Sequence, residues 1–171
     1  MVLPYSFPGR METGLISDLI LCNAHLKYQI KGATMRLMSF TDYGLRVLMR
    51  LAGESGRAFT AAELAAEFRV SRAHLAKVVS ALSAAGWIDT RRGGGGGLAL
   101  ARPAAEIGLG DVVAQLEAQQ AIVECFSPDR NTCTLSPGCR LKARLARAER
   151  AFLDDLNLGT LADCALPPPR R

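Results

Sequence analysis

The chain has 171 residues, of which 49% are hydrophobic and 22% are charged, with a formal net charge of +5. These values exclude an intrinsically disordered chain and one too short for a hydrophobic core. Between residues 16 and 22 the N-terminal apolar run is short and contains Asp18, which argues against a signal peptide or a membrane span. We therefore expect a cytoplasmic protein with no membrane partner.

The positive charge is concentrated in one part of the chain. The segment from Arg57 to Arg102 contains seven Lys and Arg residues and three Asp and Glu residues. A basic stripe of this kind is typical of a nucleic-acid contact, although a solvated basic surface is the alternative if no motif supports it.

Residues 1–34 show no sustained hydrophobic periodicity and contain Pro4, Pro8 and several glycines. We expect this leader to be disordered, or to precede the true start of the protein at Met35. Cys22 lies in the leader and is assigned no role.

Three helices are predicted next. The first covers roughly residues 40–53, with Thr41 or Asp42 as its cap, because its apolar residues recur at spacings of three and four. The second begins at the capping box Thr60 to Glu63. Ser71 caps the third helix, and Gly86 stands at its C-terminal end, where a C-cap glycine belongs. Its apolar positions fall at i, i+3, i+4 and i+7: Leu75, Val78, Val79 and Leu82.

The second and third helices have the outline of a helix-turn-helix. If the apolar residues of the third helix face inward, Arg72, His74 and Lys77 face outward. Together with Ser71 at the helix start, these side chains are our candidates for contact with double-stranded DNA.

Residues 87–100 predict a β-hairpin, because two short strands flank the glycine run Gly93 to Gly97. After a recognition helix, such a hairpin is the wing of a winged helix-turn-helix, and Arg91 and Arg92 lie at its tip as further DNA-binding candidates. A nucleotide-binding phosphate loop is excluded, since no Lys-Ser/Thr pair follows the glycines.

Three of the five cysteines lie in one loop rich in Pro, Ser and Gly. Seven residues separate Cys125 from Cys133, and five separate Cys133 from Cys139. We expect the loop to bring its thiols to one point, where they would suit zinc or an iron-sulfur cluster with a fourth ligand from elsewhere.

A long helix is predicted from Arg140 to Leu156. It carries one apolar stripe: Leu141, Leu145, Ala148, Phe152 and Leu156. The stripe packs either on its own domain or, as we favour, on a second copy in a homodimer, because a two-fold DNA site requires a two-fold protein. Residues 164–171, which include Cys164 and end in PPPRR, are expected to be a disordered tail.

The resulting fold class is mainly α with a small β wing. A winged helix-turn-helix DNA-binding domain covers residues 35–103, and a metal-binding loop with a dimerisation helix covers residues 104–163.

These motifs together resemble a known family. The segment MRLMSFTDYGLRVLMRL, the helix start from Ser71 to Lys77, the Arg-Gly wing, the cysteine loop followed by RLK and the late TLAD resemble the NsrR-type nitric-oxide-sensing iron-sulfur repressors, whose winged-helix family also includes IscR. The similarity covers nearly everything from Met35 to Asp163.

The resemblance implies that Cys125, Cys133 and Cys139 hold a cluster, [4Fe-4S] by preference and [2Fe-2S] as an alternative. It further implies that Asp42 of the partner subunit is the fourth ligand, with Arg46 near the cluster. IscR-like relatives instead use a histidine shortly after the third cysteine, where this chain has Lys142. That difference favours the NsrR type.

The implied function is that of a transcriptional repressor, not an enzyme, which releases its operator when nitric oxide reacts with the cluster. Two alternative functions remain open: an iron-sulfur regulator that responds to iron or redox state, and a DNA-binding module with structural zinc. An iron-sulfur enzyme is disfavoured, because no second redox motif or group of catalytic residues is found.

Overall fold

A computed structural model describes residues 36–91, 96–118 and 120–166 of the chain. The described elements lie in one compact unit, Leu37–Arg171. Its α-helices and strands are α1 Ser39–Gly53, α2 Ala61–Glu67, α3 Arg72–Ala84, β1 Ile88–Arg91, β2 Gly97–Leu100, α4 Leu109–Glu117 and α5 Arg140–Leu156. Short 3-10 helices cover Ala104–Glu106, Glu124–Phe126, Pro128–Arg130, Ser136–Gly138 and Leu161–Cys164. The predicted fold class, mainly α with a small β wing, is confirmed.

Helix α1 begins earlier than the sequence predicted. Its N-cap is Met38, which offers no side-chain hydrogen bond, and Asp42 lies within the first turn, with its N–H bonded to the Met38 carbonyl at 3.0 Å. Thr41 is fully buried. The prediction that Thr41 or Asp42 caps this helix is therefore wrong, and the Asp42 carboxylate pairs instead with Arg46 one turn further along the same helix.

The N-caps of α2 and α3 are as predicted. Thr60 and Glu63 form a reciprocal capping box, in which the Glu63 N–H donates to Thr60 Oγ1 at 3.1 Å and the Thr60 N–H donates to Glu63 Oε2 at 3.1 Å. Ser71 Oγ accepts from the His74 N–H at 3.2 Å. At the end of α3, Gly86 has a φ of 74° and closes the helix.

The wing is a two-stranded antiparallel hairpin in which Ile88 pairs with Leu100 and Arg91 with Gly97. Phe59 adds a short third bridge, since its N–H donates to the Leu98 carbonyl at 3.1 Å and its carbonyl accepts from Leu98. The predicted hairpin is confirmed. Its tip, including the Arg92 position, lies outside the described residues, as do the leader and residues 167–171.

One hydrophobic core joins these elements. Leu48 of α1, Leu75 of α3, Ile88 of β1, Val112 of α4 and Leu161 of the last 3-10 helix are each at most 2% exposed. Burial of such a side chain contributes roughly 1.5–3 kcal/mol, so the core fixes α3 and the wing to the other helices.

Helix α5 contributes no fully buried residue to this core. Its C-terminal end packs against α4, where the Asn157 side chain bonds to Asp111, while Leu141 near its start is 62% exposed. The apolar stripe is therefore covered only in part by its own chain.

The segment after α5 returns to α1. Cys164 ends a 3-10 helix, and the Leu166 N–H donates to the Met49 carbonyl at 3.0 Å. The expected start of a disordered tail at residue 164 is corrected by this contact, because residues 164–166 are held against α1. Among the described helices, none has the length and apolar character needed to cross a membrane.

Candidate nucleic-acid interface and cysteine loop

The third helix presents two basic side chains to solvent. Its inward face, formed by Leu75, Val78, Val79 and Leu82, is buried as predicted. Arg72 and Lys77 are exposed, and neither has an ion-pair partner within the described part of the chain. Ser71 uses its hydroxyl oxygen to cap the helix, which anchors the end that would enter a DNA groove.

His74 does not point fully outward, and we correct that expectation. Its ring is half-buried against Tyr43 of α1 in an edge-to-face contact, with the ring centroids 5.4 Å apart. Its Nε2 atom is buried and has no hydrogen-bond partner among the described residues. The physical reason is its position beside Leu75, which places the ring at the border between the solvent face and the core face.

Tyr43 also connects α3 to the predicted cluster residue on α1. Arg46 lies over the Tyr43 ring, with its Cζ atom 5.5 Å from the centroid. The same guanidinium bonds both oxygens of the Asp42 carboxylate, at 3.1 Å from Nε to Oδ1 and 2.9 Å from Nη2 to Oδ2. The structure therefore links Asp42, Arg46, Tyr43 and His74 in a continuous series of contacts.

Both members of the Asp42–Arg46 pair are about half exposed, at 48% and 50% of their side chains. An ion pair that solvent screens to this degree is worth little, of the order of 0.5 kcal/mol. Asp42 can therefore leave Arg46 for a stronger ligand at small cost.

At the wing, sequence reasoning overlooked one basic residue. Arg102 lies over the Trp87 ring with its Cζ atom 5.0 Å from the centroid, next to the base of the hairpin. Arg91 ends β1, but its side chain and all of Arg92 lie outside the described residues.

Sequence reasoning also missed a buried arginine at the other end of α1. Arg50 is 2% exposed, bonds to Glu54 at 2.6 Å and Glu67 at 3.1 Å, and lies over the Phe59 ring at 4.7 Å. The hydrogen bond from Arg50 lowers the pKa of Glu54, and Arg57 lowers it further. This cluster holds α2 to α1 and so helps to place the helix-turn-helix.

The cysteine loop brings two of its three thiols to one cavity. Cys125 and Cys139 line a cavity of about 850 Å³ together with Lys142 and Glu149 of α5. All three loop cysteines are half-buried free thiols, but Cys133 does not line this cavity. The convergence of all three thiols on one metal therefore stays a prediction.

The loop is held by its own polar contacts. Asn131 Oδ1 accepts from the Cys133 N–H at 3.1 Å, and Thr132 Oγ1 donates to Glu124 at 3.3 Å. In the described ranges, no three His, Cys, Asp or Glu side chains are arranged to hold a metal ion. Soft thiolate sites are generally completed by the metal, whose charge offsets the repulsion between thiolates, and the donor set here suits iron or zinc.

Asp42 does not line the cysteine cavity of its own chain. Its contact in the single chain is Arg46, so a role as cluster ligand requires the second subunit that the sequence analysis invoked.

Comparison with known proteins gives a family and a set of similar structures. The model of the Rrf2 family, described as iron-dependent transcriptional regulators, matches residues 37–166. CymR (YrzC), the global cysteine regulator of B. subtilis, is 26% identical, with 77% of this chain and 97% of that chain covered and a TM-score of 0.60.

Two further structures are similar. The oxidised form of CymR from Staphylococcus aureus is 28% identical over 80% of this chain and 100% of that chain, with a TM-score of 0.59. IscR of T. potens is 22% identical over 75% of this chain and 85% of that chain, with a TM-score of 0.60, a likeness that shows the fold alone.

Proposed function

This chain belongs to the Rrf2 family of transcriptional regulators, and from that premise we propose that it is a homodimeric repressor that senses nitric oxide through an iron-sulfur cluster. The observation that carries the proposal is the set of three free cysteines at the start of α5, combined with an exposed Asp42 on α1. The family description names iron, which agrees with a thiolate site.

The cysteines and Asp42 have different roles in this proposal. Cys125, Cys133 and Cys139 would hold the cluster as soft thiolates, and Asp42 of the partner subunit would be a hard oxygen ligand that is more easily displaced. A bound cluster would supply the iron that reacts with nitric oxide. Once released, Asp42 has the Arg46 guanidinium beside it as an alternative partner.

When Asp42 leaves the cluster and pairs with Arg46, the change would be transmitted to α3 through the Tyr43 and His74 rings. A change at Arg46 acts on the Tyr43 ring, and Tyr43 packs against His74 in the first turn of α3. A shift of the two recognition helices removes base contacts, and each mismatched base pair costs about 1–3 kcal/mol. Repression would then be lifted.

The proposed dimer is supported by the uncovered apolar stripe of α5. Leu141 is 62% exposed, the rest of the stripe is at most half-buried, and a second copy of the helix would cover it. The same pairing would bring the α1 helix of one subunit towards the cysteine loop of the other.

Anaerobic spectroscopy tests the cluster proposal. We expect purified protein with visible absorbance that bleaches on addition of nitric oxide, while binding to its operator falls in parallel. Cys139→Ser should abolish the absorbance, and Cys164→Ser, outside the loop, should leave it unchanged. Colourless protein that contains stoichiometric zinc would reject the cluster and leave a DNA-binding module with structural zinc.

A thiol-based regulator is the second candidate. The similarity to CymR, named a cysteine regulator and also known in an oxidised form, favours it together with the three free thiols. In that case metal-free protein would bind DNA, and mild peroxide would change the binding through the thiols. Iron analysis beside peroxide titration separates the two candidates, and titration with iron or oxygen tests those alternative signals.

A further inference from the structure

The turn between α2 and α3 contains an arginine in a backbone conformation that favours glycine. Arg69 has a φ of 54°, and it is the one described non-glycine residue with a positive φ. Its N–H donates to the Ala66 carbonyl at 3.2 Å, and the Val70 N–H donates to the Ala65 carbonyl at 3.0 Å. This is the Schellman arrangement that ends a helix with a left-handed residue.

The end of α3 shows the same arrangement with glycine. There Gly86 has a φ of 74°, its N–H donates to the Ser83 carbonyl at 3.0 Å, and the Trp87 N–H donates to the Leu82 carbonyl at 3.0 Å. Because a side chain is disfavoured in this conformation, Arg69 carries a steric cost that Gly86 avoids.

Nothing in the described part of the chain offsets that cost. The Arg69 side chain is exposed and makes no hydrogen bond, ion pair or ring contact with any described residue. A strained residue that its own fold does not use is a candidate for contact with a partner molecule.

The charges around the turn indicate which partner. Glu67, two residues before Arg69, is bound by Arg50 at 3.1 Å, and Glu63 is bound by Arg57. The acidic groups of α2 are thus neutralised, while Arg69, Arg72 and Lys77 stay exposed. Arg69 lies two residues before Ser71, so its long side chain extends from the chain segment that leads into the predicted DNA-contacting end of α3.

We propose that Arg69 is a DNA-backbone contact beside the recognition helix, and that the strained turn is retained for its guanidinium. The contact would be to phosphate, because a flexible cation in a turn that precedes the recognition helix is suited to position the helix and not to read bases. The inference rests on DNA binding through α3.

Four variants test it. Arg69→Gly removes both charge and strain, Arg69→Gln removes only the charge, and Arg69→Lys keeps both. Arg147→Gln, at an exposed position on α5, is the matched control for loss of one positive charge. Binding of the full-length protein to a random-sequence duplex of roughly 30 base pairs is measured against salt concentration, together with thermal unfolding.

Arg69→Gly and Arg69→Gln should each lower the slope of log K against log salt by about 0.9, which corresponds to roughly eightfold weaker binding at 0.1 M salt. Arg69→Lys and Arg147→Gln should keep the wild-type slope. In thermal unfolding, Arg69→Gly should melt about 2–4 °C higher than wild type, while Arg69→Gln should not.

A wild-type slope in both neutral Arg69 variants would overturn the inference. A fifth variant, Lys77→Ala, removes a candidate DNA contact of α3 itself: if it lowers the slope and the Arg69 variants do not, only the Arg69 contact is rejected. If the wild-type protein fails to bind the duplex at low salt, DNA binding through α3 is rejected with it.

Discussion

Replacement of Gly110 by Ala tests how tightly α5 is held to the winged domain. From sequence alone the change should stabilise α4, since Ala is favoured over Gly in a helix by up to about 1 kcal/mol. The structure predicts the opposite. A Cβ atom at Gly110 would overlap the carbonyl oxygen of Leu153 and lie 2.8 Å from Asn157 Oδ1.

The loss of stability depends on which atoms must move to make room for the new Cβ atom at position 110. The Leu153 carbonyl is part of the α5 backbone, so it cannot rotate away, and such overpacking costs about 1–3 kcal/mol. Displacement of Asn157 also breaks its bond from the Asp111 N–H, at 3.2 Å, a cap worth about 1 kcal/mol. The higher helix propensity of Ala offsets up to about 1 kcal/mol of this cost. We therefore expect the free energy of unfolding to fall by about 2 kcal/mol and the melting temperature to fall by roughly 4–8 °C.

Thermal unfolding followed by circular dichroism measures this loss. Gly56→Ala is the matched control, because a Cβ at Gly56 meets no atom within 4 Å, and it should leave stability unchanged or raise it by about 0.5 kcal/mol. A Gly110→Ala protein that melts at or above the wild-type temperature would show that α5 does not pack on α4 as described.

Three further predictions concern the helix-turn-helix and its link to α1. Arg50→Ala should lower the free energy of unfolding by about 2–4 kcal/mol in urea titrations, because it removes a buried guanidinium that pairs with two partly exposed carboxylates. The backbone hydrogen bond from Thr60 lowers the pKa of Glu63 below its ordinary value of 4.5, so its stabilisation is present above that pH and is lost as pH falls through the lowered value. Unfolding of Glu63→Gln should therefore depend less on pH between about 5 and 3 than that of the wild type. Tyr43→Leu, which removes the ring beside His74, should reduce the loss of DNA affinity caused by nitric oxide, whereas Tyr43→Phe should retain it, as measured by fluorescence anisotropy.

Most of the winged domain was predictable because its helices are defined by residues that lie close together in the sequence. The capping box at Thr60, the cap at Ser71 and the apolar spacing of α3 are all decided within a few residues of the chain. The start of α1 was misplaced because Met38 has no capping side chain. Its N–H instead donates at 2.9 Å to Glu117 Oε1 of α4, a contact 79 residues away that no local pattern reveals.

The candidate site was less predictable, since it depends on contacts between separate elements. Cys125 and Cys139 line one open pocket and Cys133 does not, which their spacing in the sequence does not indicate. The half-burial of His74 requires Tyr43, which is 31 positions earlier in the chain. The burial of Arg50 was also missed, because Glu67 and the Phe59 ring, which cover it, come from outside α1.

The proposed link from the cysteine loop to DNA binding runs through the contacts of α1. One side of the helix has the exposed Asp42–Arg46 pair, free to meet another subunit, and Tyr43 of the same turn packs on His74 of α3. A weak, exposed ion pair costs little to break, whereas the core contacts that join α1 to α3 are fully buried and resist deformation. In the proposed mechanism, a displacement of α1 at Asp42 would therefore move α3 with it, because the buried contacts between the two helices resist local rearrangement.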